Sequence, residues 1–127
     1  MSAFAPFAAA TFALCAPGPH TTCVVDGDTF WLDGEKIRIA DINAPETHQA
    51  GCASERALGE AATRRLIALL NQGAFELTPA ERDRDRYGRQ LRVVSRHGRS
   101  LGAQLVREGL AEVWRGRRGD WCALLDG

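Results

Sequence analysis

The sequence predicts a domain that is mainly β with added helices, an α+β class, and three observations support this prediction. Short β-prone runs alternate with turn signals, one stretch shows helical spacing of apolar residues, and 127 residues suit one modest core. The predicted order is three strands, a helix, two strands and a short helix. Five short strands with a helix after the third are typical of an OB-type five-stranded β-barrel with two to three helices.

The first three strands follow one another closely. The run TTCVV at 21–25 is β-prone, the DGD at 26–28 interrupts it as a turn or bulge, and TFWL then resumes the strand. The DG at 33–34 is a strong hairpin signal. The run EKIRIADI at 35–42 forms the next strand, and Pro45 ends it.

The longest helix is predicted over residues 54–72. Ser54 can cap its start, and Gly73 suits the C′ position after its end. Apolar residues at helical spacing form its inward face. They are Leu58, Ala62, Leu66 and Leu69.

Two strands and a short helix complete the predicted order. AFELTP at 74–79 and LRVVS at 91–95 are the strands, and the charged run at 82–90 is a polar turn between them. A helix with Ser100 as its candidate N-cap follows and ends at Gly109. The closing WCALLDG can form a final helical turn.

Charge is unevenly distributed, although the chain has 16 basic and 16 acidic side chains and no net charge. Residues 1–81 carry five basic and ten acidic side chains, whereas residues 82–127 carry 11 arginines and six acids. The planar donor fork of arginine suits phosphate and carboxylate. Either a cation site faces an anionic ligand, or two solvated faces pair with each other.

Four cysteines indicate two disulfides. Cys15, Cys23, Cys52 and Cys122 are even in number and lack the CxxC spacing of zinc sites. Four cysteines allow three pairings, and we favour Cys15 with Cys23 and Cys52 with Cys122. Disulfides would place the protein outside the cytosol, secreted or periplasmic.

The sequence divides into an N-terminal segment, 1–20, and a functional domain, 21–127. The apolar start resembles a signal peptide, but Pro6 interrupts it and no Lys or Arg precedes it, so an export signal is not evident. We interpret the segment as mature chain left after an upstream signal. No apolar run is long enough to span a membrane, and no membrane partner is expected.

Oxygen-bearing side chains occur at the ends of two predicted strands. Side chains two apart on a strand share a face, so Asp26 can align with Asp28, and Asp41 with Asn43. If the two segments are neighbours, the like charges repel unless a cation lies between them. Oxygen ligands without Cys or His favour Ca²⁺ or Mg²⁺. The alternative is a pair of ordinary polar strand-end turns.

Four motifs also match a known family. VVDGDTF, IRIADINAPET, DRYGR and LVREGLA occur in this order between about residue 21 and residue 114, and together they resemble the staphylococcal nuclease (thermonuclease) family. The resemblance implies an OB-type barrel with three helices. It also implies a Ca²⁺-dependent nuclease domain over 21–127 that hydrolyses phosphodiester bonds of DNA, RNA or both. Low sequence specificity, 3′-phosphate products and a monomeric state are expected with it.

The resemblance assigns metal ligands by motif position. Asp28 would bind Ca²⁺ directly, Asn43 occupies the position of a usual Asp ligand, and Ala44 would offer its backbone carbonyl. Asp41 and Asp26 are further candidate ligands. Because Asn43 carries one negative charge fewer than Asp, weaker Ca²⁺ binding is expected.

Catalytic roles follow from the same motifs. Glu46 would position or deprotonate the attacking water, while Arg38 and Arg89 would hold the phosphate and neutralise its growing charge. The alternative for each arginine is a structural ion pair, for Arg38 with Glu46 or Asp41. Candidate substrate contacts are Arg86, Tyr87 and Trp114.

A second function remains open because of Asn43. The chain could be a catalytically weakened OB module that binds nucleic acid or a protein partner. Arg38, Glu46 and Arg89 together favour the nuclease, because a binding module has no need of a carboxylate beside the phosphate.

Overall fold

Nine strands and three helices make up the part of the chain that the computed structural model describes, Ala5–Phe7 and residues 10–126. The strands are β1 (Ala5–Phe7), β2 (Cys23–Asp26), β3 (Thr29–Leu32), β4 (Glu35–Ile39), β5 (Ile42–Asn43), β6 (Phe75–Arg84), β7 (Gln90–Arg96), β8 (Arg99–Ser100) and β9 (Glu112–Val113). The helices are α1 (Ala53–Leu70), α2 (Leu101–Arg107) and α3 (Trp121–Asp126). The predicted α+β class is therefore confirmed.

Six strands form one path in the order β1-β6-β7-β4-β3-β2, and β8 pairs with β7. Its ladders are antiparallel except that of β4 with β7, which is parallel and sets Ile37 opposite Gln90. β5 and β9 form a separate antiparallel pair with Asn43 opposite Glu112. Within the described ranges no ladder joins the two ends of the path, so closure into a barrel stays a prediction.

The segment before residue 21 contacts both ends of this path. β1 pairs with β6 at one end, and Leu14 forms a parallel bridge with Val24 of β2 at the other. Phe12 is buried edge-on against Phe30, with ring centroids 5.8 Å apart. The Asn71 side chain accepts from Phe12 N–H (2.7 Å) and donates to its carbonyl (2.9 Å). The described part of the predicted 1–20 segment is thus packed against the domain, and the rest lies outside the described residues.

A close approach of the chain shapes the turn between β2 and β3. A β-carbon at Gly27 would lie 2.8 Å from the β-carbons of Ala44 and Ala62, so only glycine fits there. The predicted bulge is present, since the register shifts between Val24 and Asp26. The turn, the residues after β5 and helix α1 therefore meet at one place, and the candidate site is built there.

Helix α1 begins and ends within two residues of its predicted bounds, but its predicted caps are wrong. The N-cap is Cys52, so Ser54 lies inside the helix, and Ser54 Oγ donates to Asp126 Oδ1 of α3 (2.6 Å). Asn71 is the C-cap, and Gly73 lies two residues beyond it with φ +152°. Ser100 does cap α2, because its Oγ accepts from Ala103 N–H (3.0 Å).

The predicted polar turn at 82–90 is shorter than expected. β6 continues to Arg84, which pairs with Gln90 across a bulge, so the reversal is confined to residues 85–89. The alternating charges of this run are compatible with a ladder at a solvated edge. The predicted final helical turn is α3, and Gly127 lies outside the described residues.

Two disulfides are present, one local and one between distant parts of the chain, and the favoured pairing is confirmed. Cys15 is bonded to Cys23, with Cα atoms 4.8 Å apart, and Cys52 to Cys122, with Cα atoms 6.0 Å apart. The second bond joins the start of α1 to α3. None of the described helices is long and apolar enough to cross a membrane.

Candidate functional site

The turn between β2 and β3 provides two carboxylates. Asp28 is 2% exposed. Its Oδ2 accepts from Ala44 N–H (2.8 Å), and its Oδ1 accepts from Thr29 Oγ1 (3.0 Å). Asp26 Oδ1 accepts from Asp28 N–H (3.2 Å). These bonds fix the turn against the residue that follows β5.

Asp26 lies in a strongly negative environment. Burial first, then the negative charge of Asp28 and a side-chain hydrogen bond with it, raise the pKa of Asp26 to about 8, and Glu46 contributes in the same direction. Three carboxylates therefore share one electrostatic field, as expected for a site that accommodates positive charge.

Asn43 is also 2% exposed, and its two amide atoms differ in their contacts. Nδ2 donates to Glu112 Oε2 (2.7 Å) from the adjacent strand β9. Oδ1 is buried and has no hydrogen-bond partner within the described residues. Buried polar atoms normally find a partner, so this carbonyl oxygen, like Asp41 Oδ1, is available to a ligand.

Arg38 extends from β4 into the same region and is only 6% exposed. Its Nη1 donates to the carbonyls of Ile39 and Ile42, the second at 2.8 Å. Its Nη2 lies 3.5 Å from Asp28 Oδ2, and the Trp114 ring centroid lies 5.5 Å from its Cζ. The alternative role considered for Arg38 was an ion pair with Glu46 or Asp41. The ion pair present is with Asp28 instead, because the β3–β4 register sets Arg38 opposite Thr29.

Arg89 reaches the site from the turn before β7. The parallel ladder that sets Ile37 opposite Gln90 brings it close to β4. Its Nε donates to Asp85 Oδ2 (2.6 Å), and its Cζ lies 5.5 Å from the Tyr87 ring centroid. Burial alone would raise the pKa of Asp85, but hydrogen bonds from Arg89 and its positive charge lower this pKa.

The candidate substrate contacts lie in the turn before β7 and directly after β9. Tyr87 is 68% exposed, and its hydroxyl accepts from Arg86 Nη2 (2.8 Å). Trp114 follows β9, and its backbone N–H donates to the Asp41 carbonyl (3.0 Å). Each aromatic ring thus carries one of the two predicted phosphate-binding arginines on its face.

Glu46 is held by two contacts. Its N–H donates to Glu55 Oε2 (2.9 Å), so the first turn of α1 fixes its backbone. Its Oε2 accepts from Arg118 Nη1 (2.5 Å). Burial alone would lower the pKa of Arg118. The charge of Glu46 and the hydrogen bond with it, followed by the charges of Asp28 and Asp26, raise this pKa.

An open cleft of about 940 Å³ is lined by both candidate phosphate-binding arginines and by Arg118, the partner of Glu46, whereas the side chains of Asp28, Asn43 and Glu46 lie outside its lining. Arginines and two aromatic rings dominate its lining. The residues that line it include Arg38, Arg82, Arg86, Tyr87, Arg89, Trp114 and Arg118. Such a surface suits a polyanion with flat, stackable bases.

Asp41, a further ligand candidate from the sequence, faces α2 instead. Its Oδ2 accepts from Ser100 Oγ (2.6 Å), the cap of that helix. A β-carbon at Gly102 would lie 2.6 Å from its Oδ1. The chain turns between β4 and β5, so Asp41 and Asn43 do not follow one straight strand as the spacing argument assumed.

Three further residues belong to the site and were not among the predicted ones: Asp85, Glu112 and Arg118. The i, i+4 spacing of Asp85 with Arg89 is a local signal for the first, although this run was predicted only as a polar turn. Glu112 lies 69 residues from Asn43, and Arg118 lies 72 residues from Glu46. No pattern in the sequence connects such pairs.

The residues present fit a hard cation. The donors in reach are carboxylate and amide oxygens, and the buried Asn43 Oδ1 lacks a hydrogen-bond donor among the described residues. Oxygen donors of this kind are preferred by Ca²⁺ and Mg²⁺. Together with the arginine-lined cleft, these oxygens make the region a candidate site for a polyanionic ligand.

Comparison with known proteins agrees with this class. The model of the family described as staphylococcal nuclease homologue matches residues 36–121, and the chain belongs to that family. It is 36% identical over 94 residues to Endonuclease YncB of Bacillus subtilis (strain 168), covering 70% of this chain and 44% of that protein. It is 33% identical over 105 residues to Micrococcal nuclease of Shigella flexneri, covering 72% and 55%. The chain spans about half the length of these relatives.

Proposed function

We propose that this chain is a Ca²⁺-dependent nuclease that hydrolyses phosphodiester bonds of DNA, RNA or both with low sequence specificity and leaves 3′-phosphate products. One observation supports this above all. Arg38 and Arg89 line one cleft, and Arg38 pairs with Asp28, the first candidate metal ligand. A third lining arginine, Arg118, binds the carboxylate of Glu46. The names of the family relatives agree with a phosphodiester substrate.

In this proposal the arginines bind the substrate phosphate. Arg38 is fixed by two backbone carbonyls and Asp28, and Arg89 by Asp85, so both guanidinium groups are oriented before substrate arrives. Fixed donors stabilise the charge that grows on phosphoryl oxygens without reorganising during the reaction. Trp114 and Tyr87 offer faces on which bases of a single strand can stack.

Glu46 is the proposed general base. Substrate phosphate entering the cleft competes for Arg118, and this competition frees the Glu46 carboxylate to accept a proton from water. Asp28, the Asn43 amide oxygen and the Ala44 carbonyl would hold Ca²⁺, which polarises the phosphoryl oxygen and favours deprotonation of a bound water.

Wider features of the chain complete the proposal. The curved sheet would close as an OB-type five-stranded barrel over residues 21–127, and the protein would act as a monomer. Two disulfides support an extracytoplasmic location.

A second candidate is a non-catalytic nucleic-acid-binding module. Two observations favour it: the neutral Asn43 at a ligand position and the ion pair that holds Glu46 on Arg118. Both candidates use the same cleft, so only catalysis separates them.

Cleavage of denatured DNA with Ca²⁺ and with EDTA tests the proposal. We expect wild-type cleavage with Ca²⁺ only, and a loss of at least about a hundredfold in Glu46→Gln, as for a removed general base. Glu60→Gln is the matched control, because Glu60 is an exposed acid on α1 that pairs with Arg56. A wild-type protein that binds DNA but leaves it intact at millimolar Ca²⁺ would support the binding module.

A further inference from the structure

One carboxylate oxygen joins two separate parts of the site. Glu112 Oε2 accepts from Asn43 Nδ2 (2.7 Å) and also from Gly119 N–H (2.8 Å) in the loop that carries Arg118. A β-carbon at Gly119 would lie 2.5 Å from Glu112 Oε1, so a larger residue there would displace the carboxylate from this position. Glu112 lies directly opposite Asn43 in the β5–β9 pair. The Glu112 carboxylate is therefore held by both the β5–β9 pairing and the loop at Gly119.

The contact decides which end of the Asn43 amide is left free. A carboxylate only accepts hydrogen bonds, so Glu112 selects the NH₂ end of the amide. The two ends point in different directions, and Oδ1 is therefore turned away from Glu112. This oxygen is buried and lacks a partner among the described residues, and the following residue, Ala44, donates its N–H to Asp28.

We propose that Glu112 is a positioning residue that presents Asn43 Oδ1 to the cation, and that the two side chains work only as a matched pair. This inference rests on the proposed metal site. The neutral Asn43 amide can bind a cation through its oxygen while its NH₂ group donates to the Glu112 carboxylate. An Asp at position 43 would instead place a second carboxylate across the present 2.7 Å contact. Like charges at this distance repel. Asn43→Asp alone therefore does not strengthen cation binding, although it adds a charged ligand.

A double-mutant cycle on cation binding tests the pairing. Ca²⁺ titrations of the full chain without nucleic acid would compare wild type, Glu112→Ala, Asn43→Asp and the double variant. We expect Glu112→Ala to weaken binding about tenfold in the wild-type background, the usual effect of removing a partner that orients a ligand. In the Asn43→Asp background the same change should strengthen binding, because it removes the repulsion.

The opposite sign in the two backgrounds separates positioning from other roles. If Glu112 acted only as a nearby charge or as an anchor of the loop, its removal would weaken Ca²⁺ binding in both backgrounds. That result, or unchanged affinity in Glu112→Ala, would overturn the proposal. Glu60→Ala serves as the control for loss of an exposed acid.

A second variant keeps the test valid if Glu112→Ala unfolds. Glu112→Gln retains the side-chain volume, and its amide can accept from Asn43 or donate to an Asp at 43. Asn43→Asp with Glu112→Gln should bind Ca²⁺ at least about tenfold more tightly than Asn43→Asp alone. Equal affinities of these two variants would contradict the pairing.

The titration also separates this inference from the nuclease proposal. A wild-type protein that binds Ca²⁺ and follows the cycle but does not cleave DNA refutes only the nuclease. A wild-type protein that cleaves with Ca²⁺ but shows no reversal of sign refutes only the pairing. Absence of Ca²⁺ binding at millimolar concentration refutes both.

Discussion

Arg38 illustrates what a single position can and cannot reveal. Its motif predicts an arginine that holds the phosphate. In the structure it is only 6% exposed, and such a buried charge needs partners, which are two carbonyls and Asp28. The identity of the carboxylate partner was not predictable from spacing. It depends on the β3–β4 register and on the bulge in β2, which together orient Asp28.

Replacing Arg38 should destabilise the protein as well as inactivate it. Arg38→Ala leaves the buried Asp28 carboxylate without its cationic partner, and breaking a buried pair typically costs about 3 to 5 kcal/mol. Urea denaturation of the protein measures this free energy of unfolding. Arg56→Ala, at an exposed pair on α1, should change it by less than about 0.5 kcal/mol. Equal effects of the two substitutions would contradict the proposed packing of Arg38.

Arg118 should contribute one phosphate contact to substrate binding. It lines the cleft and is half-exposed, so a polyanion can reach it. Binding of single-stranded DNA in EDTA, measured against salt concentration, should lose about 0.7 from its logarithmic slope in Arg118→Ala. Arg56→Ala, away from the cleft, should leave the slope unchanged. An unaltered slope in Arg118→Ala would show that this arginine serves only to hold Glu46.

The positions of the helices were predicted best, and the capping residues of α1 were predicted least well. Apolar spacing located α1 to within two residues, because its buried face follows the helical period. Its caps were wrong, since Ser54 bonds to α3 and Glu55 bonds to the chain before the helix. Such contacts depend on tertiary neighbours. β6 was underestimated for a similar reason, because its charged end is ordered by β7.

The link between α1 and α2 should make stability depend on acid pH. Hydrogen bonds from Arg65 and then Gln104 lower the pKa of Glu108 to about 2. A carboxylate with a depressed pKa stabilises the fold above its unfolded pKa, about 4.3. This stabilisation is lost as the pH falls from about 5 towards 2.

Thermal unfolding of Glu108→Gln against pH checks this link. At pH 7 the variant should be less stable than wild type by at most about 1 kcal/mol, because the pair is exposed. The difference should shrink steadily as the pH falls from about 5 to about 2, since Glu108 becomes neutral in both states only below its folded pKa. Glu60→Gln is the control at an exposed helical pair. A difference that does not shrink over this range would contradict the ionic origin.

Across the molecule, the favoured disulfide pairing was correct, but the contacts that complete the site were not foreseen. The number of cysteines limited the disulfide pairings to three. No such limit applies to the contacts of Glu112 with Asn43 and of Arg118 with Glu46, which are two among many possible contacts between distant residues. The metal and arginine motifs supplied most of the residues of the candidate site. The path of the chain between β9 and α3 supplied the rest.

The two disulfides should differ in their effect on stability. Cys52 and Cys122 are separated by 70 residues, and Cys15 and Cys23 by 8. Loop-closure entropy predicts a loss of about 4 kcal/mol for the long loop and about 2.5 kcal/mol for the short one. Paired Cys→Ala variants, compared by urea denaturation, measure both losses. A larger loss for the short loop would show that packing near Phe12, not chain entropy, dominates.

The most direct test compares cation binding with cleavage in the wild-type protein. The rate of cleavage of denatured DNA would be measured over a Ca²⁺ titration, beside the Kd for Ca²⁺ from a binding titration at the same salt. We predict that the rate rises with Ca²⁺ at a midpoint close to that Kd and that EDTA abolishes it. Cleavage that persists in EDTA, or a saturated cation site without cleavage, would contradict the proposed Ca²⁺-dependent nuclease.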